Sequence, residues 1–174
     1  KRASKHGAKA AVVEGDVVGG TCVLRGCVPK KMLVYGSMYG EYLRNAPAYG
    51  VQIESSMMES SVLLENIQRE VIRLSDLHKK FLSKSGVDLI SGWGEFSDHD
   101  SILVRDKRTN HILRDIQSKY ILIAVGGKAV RPSVKGSELG WVSDDIFLLK
   151  SFPKKIVIVG GGFIACEFSC IFNG

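Results

Sequence analysis

Two cysteines with a cation nearby are the residues of this chain best suited to chemistry. Cys22 and Cys27 stand five positions apart in the stretch GGTCVLRGCVPKK, residues 19–31. Thiols at this spacing can pair in a redox disulfide, or they can stay free and pack as small hydrophobic side chains. Lys30 follows Cys27 by three positions, which places both on one face of a helix. A cation and a helix N-terminus each favour the thiolate form of cysteine, so we expect reactive thiols here.

Pairing of the two thiols requires an interrupted helix. On a regular helix, residues five apart have Cα atoms about 8.6 Å apart, whereas a disulfide joins residues whose Cα atoms are less than about 7 Å apart. Gly26 tolerates unusual backbone angles, and Pro29 has no N–H with which to continue the hydrogen bonding of the preceding turn. The sequence thus permits a distorted first turn and, with it, a disulfide.

Two further stretches are typical of dinucleotide binding. The apolar run AKAAVVE, residues 8–14, ends in an acid, and in dinucleotide folds an acid at the end of the second strand takes the ribose hydroxyls. Glu14 is therefore either a ribose ligand or a charge at a strand end. In IVIVGGGFIA, residues 156–165, a buried-looking strand leads into G-x-G-x-x-A and a helix. That context indicates a pyrophosphate site.

Hydrophobic spacing and breaker residues predict the elements that position these motifs. Tyr35, Tyr39 and Tyr42 share one face of the helix that begins at Val28, and we expect this face to pack in the core. Gly92-Trp93-Gly94 is expected to be a turn, followed by a small antiparallel β-meander. The expected elements are a helix from Val28 to Ala46-Pro47, a long helix over about 61–85 ended by Gly86, a strand at 87–91, and meander strands at 101–106, around 111–114 and at 119–125.

Composition excludes several classes of function. The net charge is +6, but the lysine pairs lack interleaved aromatic residues, so we expect solvated faces and no nucleic-acid site. No apolar run approaches the roughly 18 residues of a membrane span, and we expect no membrane partner. One redox pair among four cysteines favours a reducing, cytoplasmic compartment; an organelle is the alternative if an address precedes Lys1. Cys166 and Cys170 lie four apart without further ligands, so we expect structural thiols and no metal site.

Four residues separate GGTC from CVPKK. This motif resembles the redox motif of the flavin-dependent pyridine nucleotide-disulfide reductases, and the resemblance covers Lys1 to Gly174. It implies FAD and a nicotinamide cofactor. Cys27 would be the charge-transfer thiol and Cys22 the thiol that attacks the substrate, and Lys30 would lie beside the flavin, held by Glu167. The implied FAD contacts are Glu14, Gly19, Gly20, Thr21, Cys22, Lys30, Gly94, Gly126 and Gly127, and the implied nicotinamide-cofactor contacts are Gly160, Gly162, Ile164, Ala165 and Glu167.

The CVPKK ending resembles the branch of this family that uses NADPH to reduce glutathione disulfide. Relatives acting on dihydrolipoamide or mercuric ion usually have serine at the position of Lys30. Two departures leave other disulfides open, trypanothione among them. The family's tyrosine that contacts glutathione falls on His78, and its arginine for the substrate carboxylate falls near Lys1, which keeps the charge but not the bidentate fork. His78 could equally be an exposed histidine on a helix, without a role in substrate binding.

The resemblance also implies an organisation. The predicted fold class is α/β, with a Rossmann-like FAD-binding domain and antiparallel β-meander at 1–150, followed by the start of a second Rossmann-like domain, for the nicotinamide cofactor, at 151–174. Motif order suggests a piece that lacks the first FAD phosphate loop and the C-terminal part. A homodimer is expected, with the acid histidine supplied by the other subunit. We expect the piece alone to bind FAD poorly and to be inactive, or to act as a silent flavoprotein segment.

Overall fold

A computed structural model describes residues 1–174 and divides them into two compact units. The sheet unit comprises Lys1–Gly20 and Arg73–Gly127, and the helical unit comprises Thr21–Ile72 and Lys128–Gly174. Both parallel and antiparallel strand pairs are present, which confirms the α/β class. No helix combines the length and the apolar character that crossing a membrane requires.

The sheet unit contains a parallel pair of strands. β1 is Ala10–Glu14 and β2 is Val87–Ser91, and their register runs from Ala10 opposite Val87 to Glu14 opposite Ser91. The short helix α1, Arg2–Lys5, precedes β1, and Gly7 ends it with a φ of 86°. Both predicted strands are thereby confirmed, and Glu14 is the last residue of its strand.

A three-stranded antiparallel meander completes the sheet unit. Its strands are β3 (Trp93–Asp98), β4 (Ser101–Arg105) and β5 (Ile112–Gln117), in the order β3-β4-β5. The predicted meander is present, but two of its parts were wrong. Trp93 and Gly94 belong to β3 and not to a turn, and residues 119–125 form no strand. The tight turn after Asp98 brings β3 beside β4, whereas no strand pairs with residues 119–125.

The long helix α4 is Ser60–Lys84, one residue from the predicted bounds at each end. Gly86, with a φ of 67°, lies just beyond its C-terminus. A left-handed glycine at this position is a common helix stop, because residues with a Cβ rarely adopt that conformation. The apolar spacing therefore predicted this helix correctly.

The helical unit is built around one apolar cluster. Its helices are α2 (Gly20–Arg25, whose first residue is counted in the sheet unit), α3 (Cys27–Asn45), the first half of α4, α5 (Ser143–Ile146) and α6 (Phe163–Asn173). The rings of Phe147 and Phe168 lie 5.8 Å apart at its centre. Each such buried side chain stabilises the fold by about 1.5–3 kcal/mol. The buried members are Leu33, Leu64, Ile67, Ile146, Phe147, Phe168 and Ile171.

The three tyrosines of α3 are exposed, so their predicted core role was wrong. At about 100° per residue, positions 35, 39 and 42 lie roughly half a turn around the helix from position 33. Leu33 faces the cluster, so the tyrosines face away from it. Their even spacing marks one face of the helix, but not the buried one.

The predicted strand before α6 is also absent. Residues 156–159 form no strand, and Val157 and Val159 are 88% and 89% exposed. A strand needs a neighbour to satisfy its backbone hydrogen-bonding groups, and both sheets lie elsewhere in the chain. The helix itself begins at Phe163, after Gly162, as the glycine pattern predicted. The division of the chain at residue 150 stays a prediction.

Candidate redox site

Cys22 and Cys27 are joined by a disulfide, with Cα atoms 4.6 Å apart. The pairing depends on a break between helices, because α2 ends at Arg25 and α3 begins at Cys27. Gly26 fills the break, where a Cβ would lie 2.7 Å from the Thr21 carbonyl oxygen and 3.2 Å from the Cys22 Cα. Only glycine fits this approach without a backbone shift. The expected distortion of the first turn is therefore present.

Lys30 is anchored by two residues of α6. Its ammonium group donates a hydrogen bond to the Glu167 carboxylate of α6 and lies 5.3 Å from the centre of the Phe163 ring. The Lys30 side chain is 15% exposed, against 48% for Glu167. The lysine is thus held in a sheltered position, one turn of α3 after Cys27, where its charge can act on a neighbouring group.

A second ion pair holds the residue between the cysteines. Arg25 Nη1 lies 3.5 Å from Asp144 Oδ2, and Asp144 belongs to α5. Ile146 and Phe147, two and three positions further along, are buried in the cluster, so α5 is anchored. The sequence interpretation did not single out Arg25. The signal that could have found it is a cation placed between two thiols.

Glu14 lines a cavity of about 160 Å³ in the sheet unit. Its carboxylate accepts a hydrogen bond of 2.9 Å from the Asp16 N–H, and its main-chain carbonyl accepts one of 2.9 Å from the Gly92 N–H. These contacts fix the carboxylate at the end of β1. A group with hydroxyl donors would find an ordered acceptor there.

Trp93 packs against Gly15, the residue after Glu14, a contact that the expected turn at residues 92–94 did not indicate. A Cβ at Gly15 would lie 2.8 Å from the Trp93 indole, so the ring packs directly on the glycine backbone. Lys107 lies 5.9 Å from the same ring's centre and 3.6 Å from Asp16. The sequence alone shows that Gly15 and Asp16 follow a strand. It does not show that Trp93, which is distant in sequence, packs against them.

The predicted glycine loops have open backbones. Gly19, Gly20, Gly126 and Gly160 have φ values of 149°, 68°, 73° and 123°, which side chains rarely adopt. A Cβ at Gly127, Gly160 or Gly162 would meet no atom within 4 Å. Gly94 is different, because a Cβ there would touch Val13 at 3.5 Å and Ile102 at 3.4 Å. The loops leave room for a ligand, whereas Gly94 serves packing between strands.

The comparisons with known proteins bear directly on this arrangement. A family model described as pyridine nucleotide-disulphide oxidoreductase matches residues 1–174. The chain belongs to this family. Its most similar relatives include proteins named glutathione reductase from Nostoc sp. (44% identical over 174 residues, 36% of that protein) and Burkholderia cepacia (37% over 172 residues, 37% of that protein). Another, from Pisum sativum and named chloroplastic/mitochondrial, is 40% identical over 183 residues, 32% of its length.

The matches to these oxidoreductases cover 99–100% of this chain. The chain spans about a third of the length of the same relatives. The family assignment confirms the resemblance that the GGTC and CVPKK motifs carried. The oxidoreductase class and the Cys22–Cys27 disulfide are thereby supported together.

The two residues expected at a substrate position lie near one face of α4. His78 is exposed, and the Lys1 ammonium lies 4.2 Å from the centre of the Phe81 ring. Because Phe81 follows His78 by three positions, the two side chains share a face of the helix. The structure therefore brings Lys1 to the side of α4 that carries His78. Their contact with substrate stays a prediction.

Two other groups of residues contain thiols, or carboxylates with a histidine. Cys166 and Cys170 are free and exposed. Asp98, His99 and Asp100 cluster at the turn between β3 and β4. Hydrogen bonds from the side chain and backbone of His99 lower the pKa of Asp98 below its usual value. His99 therefore partners this carboxylate at the turn.

Proposed function

We propose that this chain is the part of an NADPH-dependent reductase of glutathione disulfide that carries the redox-active disulfide. The observation that supports it is the Cys22–Cys27 disulfide at a helix break, next to the Lys30–Glu167 pair, in a chain 44% identical to a glutathione reductase. Because the chain spans about a third of its relatives, the activity is proposed for the complete protein. Its role would be to maintain the redox state of the cell.

FAD is the first cofactor of the proposal, and the residues present fit it. The open backbone at Gly20, Gly126 and Gly127 allows a flat, phosphorylated ligand to approach closely, and Gly19 has a positive φ that favours glycine. Glu14 offers an ordered acceptor for ribose hydroxyls. Thr21 and Cys22 follow the glycines directly, and Gly94 supports the Glu14 region by packing on β1. When bound, FAD supplies the two-electron carrier between nicotinamide and disulfide.

NADPH is the second cofactor, and the start of α6 suits its pyrophosphate. The first amide groups of a helix have no partners within the helix and attract anions. Gly160 and Gly162 leave this N-terminus open, and Ile164 and Ala165 supply first-turn amides. Selection of NADPH over NADH is carried over from the branch of the family that the CVPKK ending resembles.

The chain's own thiols would perform the exchange. Reduction of the Cys22–Cys27 disulfide by two electrons and one proton gives one thiol and one thiolate. The Cys22 thiolate attacks one sulfur of glutathione disulfide, which forms a mixed disulfide and releases the first glutathione thiolate, to be protonated by an acid histidine expected on the partner subunit. The Cys27 thiol then gives up its proton and attacks the Cys22 sulfur of the mixed disulfide; the bond from Cys22 to glutathione breaks, the second glutathione leaves and takes up that proton, and the Cys22–Cys27 disulfide is restored.

Lys30 and Glu167 have a supporting role in this proposal. Lys30, sheltered and held by Glu167, would stabilise negative charge that develops on the reduced cofactor beside Cys27. Lys1 and His78 would contact the glutathione disulfide, Lys1 through charge and His78 by stacking or hydrogen bonding. A homodimer and a cytoplasmic location complete the proposal.

The test uses the complete protein with NADPH and three disulfides in parallel: glutathione disulfide, lipoamide and trypanothione disulfide. We expect fast NADPH oxidation with glutathione disulfide only. Preference for another disulfide would refute glutathione disulfide as the substrate and make Lys1 and His78 the first positions to exchange.

Cys22→Ser should abolish turnover while NADPH still bleaches the flavin, and retained turnover would refute the role of Cys22. Cys166→Ser is the matched control and should keep activity.

A further inference from the structure

Arg25 occupies a position that the proposed mechanism does not use. It is the last residue of α2 and lies between the two cysteines. Cys22 and Arg25 are three positions apart on this helix, a spacing that brings their Cβ atoms to about 5–6 Å on one face. Arg25 therefore supplies a cation on the face of α2 that carries Cys22.

Asp144 fixes where that cation lies. The two side chains approach to 3.5 Å and are 39% and 34% exposed, so solvent screens them only in part. Asp145, next in sequence, is already occupied, since it accepts a 2.8 Å hydrogen bond from the Val142 N–H and lies 3.3 Å from Arg131. With Ile146 buried behind it, the support of Asp144 is rigid.

A second cation near the disulfide is held in an ion pair of its own. Lys30 of α3 is bound to Glu167 of α6, and Cys27 is the second sulfur of the disulfide itself. The groups on these helices that bear on a Cys22 thiolate include Arg25 on α2, Cys27, Lys30 and Lys31 on α3, Asp144 on α5 and Glu167 on α6. Of the paired cations Arg25 and Lys30, Arg25 shares the helix of Cys22, and its contact with Asp144 is the longer of the two ion pairs.

We propose that Arg25 stabilises the Cys22 thiolate after the disulfide is reduced, and that Asp144 is a positioning residue that holds and partly offsets the Arg25 charge. Two electrons and one proton convert the disulfide to one thiol and one thiolate, and Arg25 favours the thiolate at Cys22. The inference rests on the proposed function for the role of Cys22 as attacking thiol. It gives a role to the arginine among the four residues, VLRG, that separate Cys22 from Cys27.

The test measures alkylation of Cys22 by iodoacetamide across a pH series in the reduced full chain, with the label located by mass spectrometry. In Arg25→Gln the midpoint should rise by about one pH unit, with up to tenfold slower labelling at neutral pH. In Asp144→Asn the midpoint should fall, because the offsetting charge is gone. Arg25→Lys should stay near the parent, since it keeps the charge.

Two controls separate charge from structure. Arg131→Gln removes a guanidinium that is paired on the same helix α5, at Asp145, and should leave the Cys22 midpoint unchanged. Labelling of the exposed Cys166 in each sample reports the reagent and the pH. Opposite shifts for Arg25→Gln and Asp144→Asn support the proposal. An unchanged midpoint in Arg25→Gln would overturn the proposal, and so would midpoint shifts of the same sign in both variants. If Arg25→Gln fails to fold, the direction of the midpoint shift in Asp144→Asn decides: a fall supports the proposal, and a rise or no change overturns it.

The outcome is independent of the proposed function. The measurement contains no flavin, nicotinamide or glutathione, so it tests the charge pairing alone. If the midpoints shift as expected but the complete protein does not reduce glutathione disulfide, the proposed function fails and the pairing stands. If the complete protein is an active reductase and the midpoints do not move, only the role of Arg25 and Asp144 fails.

Discussion

Two segments of the helical unit run through glycine into a helix, and they are held in opposite ways. The redox segment, residues 21–31, is fixed by a disulfide, by the ion pair of Arg25 with Asp144 and by that of Lys30 with Glu167. The fingerprint segment, residues 156–165, has exposed valines and glycines with no neighbours. Thiol chemistry needs fixed atoms, whereas a loop that receives a phosphate needs open backbone.

The largest difference should come from the cluster that supports the redox segment. Phe168→Ala removes a ring that packs on Phe147 beneath α5, and we expect a loss of about 3–5 kcal/mol in the free energy of unfolding. Val157→Ala in the fingerprint segment should change it by less than about 0.5 kcal/mol. Urea unfolding of both variants makes the comparison. Equal losses would show that the fingerprint segment is packed after all.

The disulfide should give the next largest effect. A loop closed by residues five apart stabilises the folded chain by about 2 kcal/mol through the unfolded state. Cys27→Ser should therefore lower the free energy of unfolding by about that amount under oxidising conditions. Cys170→Ser, at an exposed free thiol of α6, is the matched control and should be nearly silent. A silent Cys27→Ser would mean that the thiols are not paired in solution.

Gly26 and Gly161 form a matched pair of glycines, one in each segment. Gly26→Ala drives a Cβ to 2.7 Å from the Thr21 carbonyl oxygen, while Gly161→Ala meets nothing within 4 Å. We expect the first to destabilise the chain by about 1–3 kcal/mol, because backbone must move, and the second to be neutral. Thermal unfolding checks both. A neutral Gly26→Ala would show that the helix break needs no glycine.

The smallest effect should come from the Lys30 ion pair. Glu167→Gln leaves a sheltered ammonium without its carboxylate, and after allowance for the partly exposed glutamate we expect a loss of about 1 kcal/mol. Asp76→Asn breaks an exposed pair with Lys79 and should cost almost nothing. Chemical unfolding of the two variants at low salt separates them, and equal values would remove the special status of Lys30.

Local signals predicted the redox segment and most elements well. The thiol spacing, Gly26 and the CVPKK ending lie within a few residues of one another, so the disulfide and the helix break could be inferred. The bounds of α4 followed from its apolar period and from Gly86. The fold around them could be assigned because these features need no knowledge of distant partners.

Pairing between distant segments limited the rest. Residues 119–125 and 156–159 have the composition of strands, but a strand forms only where a neighbour completes its hydrogen bonds. Trp93 was read as part of a turn because its partner strand, β4, determines its role. The α3 tyrosines show the same limit, since spacing reveals that residues share a face but not which face is buried. The ion pair of Arg25 with Asp144 likewise joins residues far apart in sequence.

The most direct test of the central claim is to follow the state of Cys22 and Cys27 in the complete protein during one reductive cycle. The protein is treated with NADPH without oxygen, then with glutathione disulfide, and thiols are alkylated and located by mass spectrometry at each step. We predict that both cysteines become labelled after NADPH and are protected again after glutathione disulfide. NADPH consumption with the Cys22–Cys27 disulfide intact throughout would contradict the account.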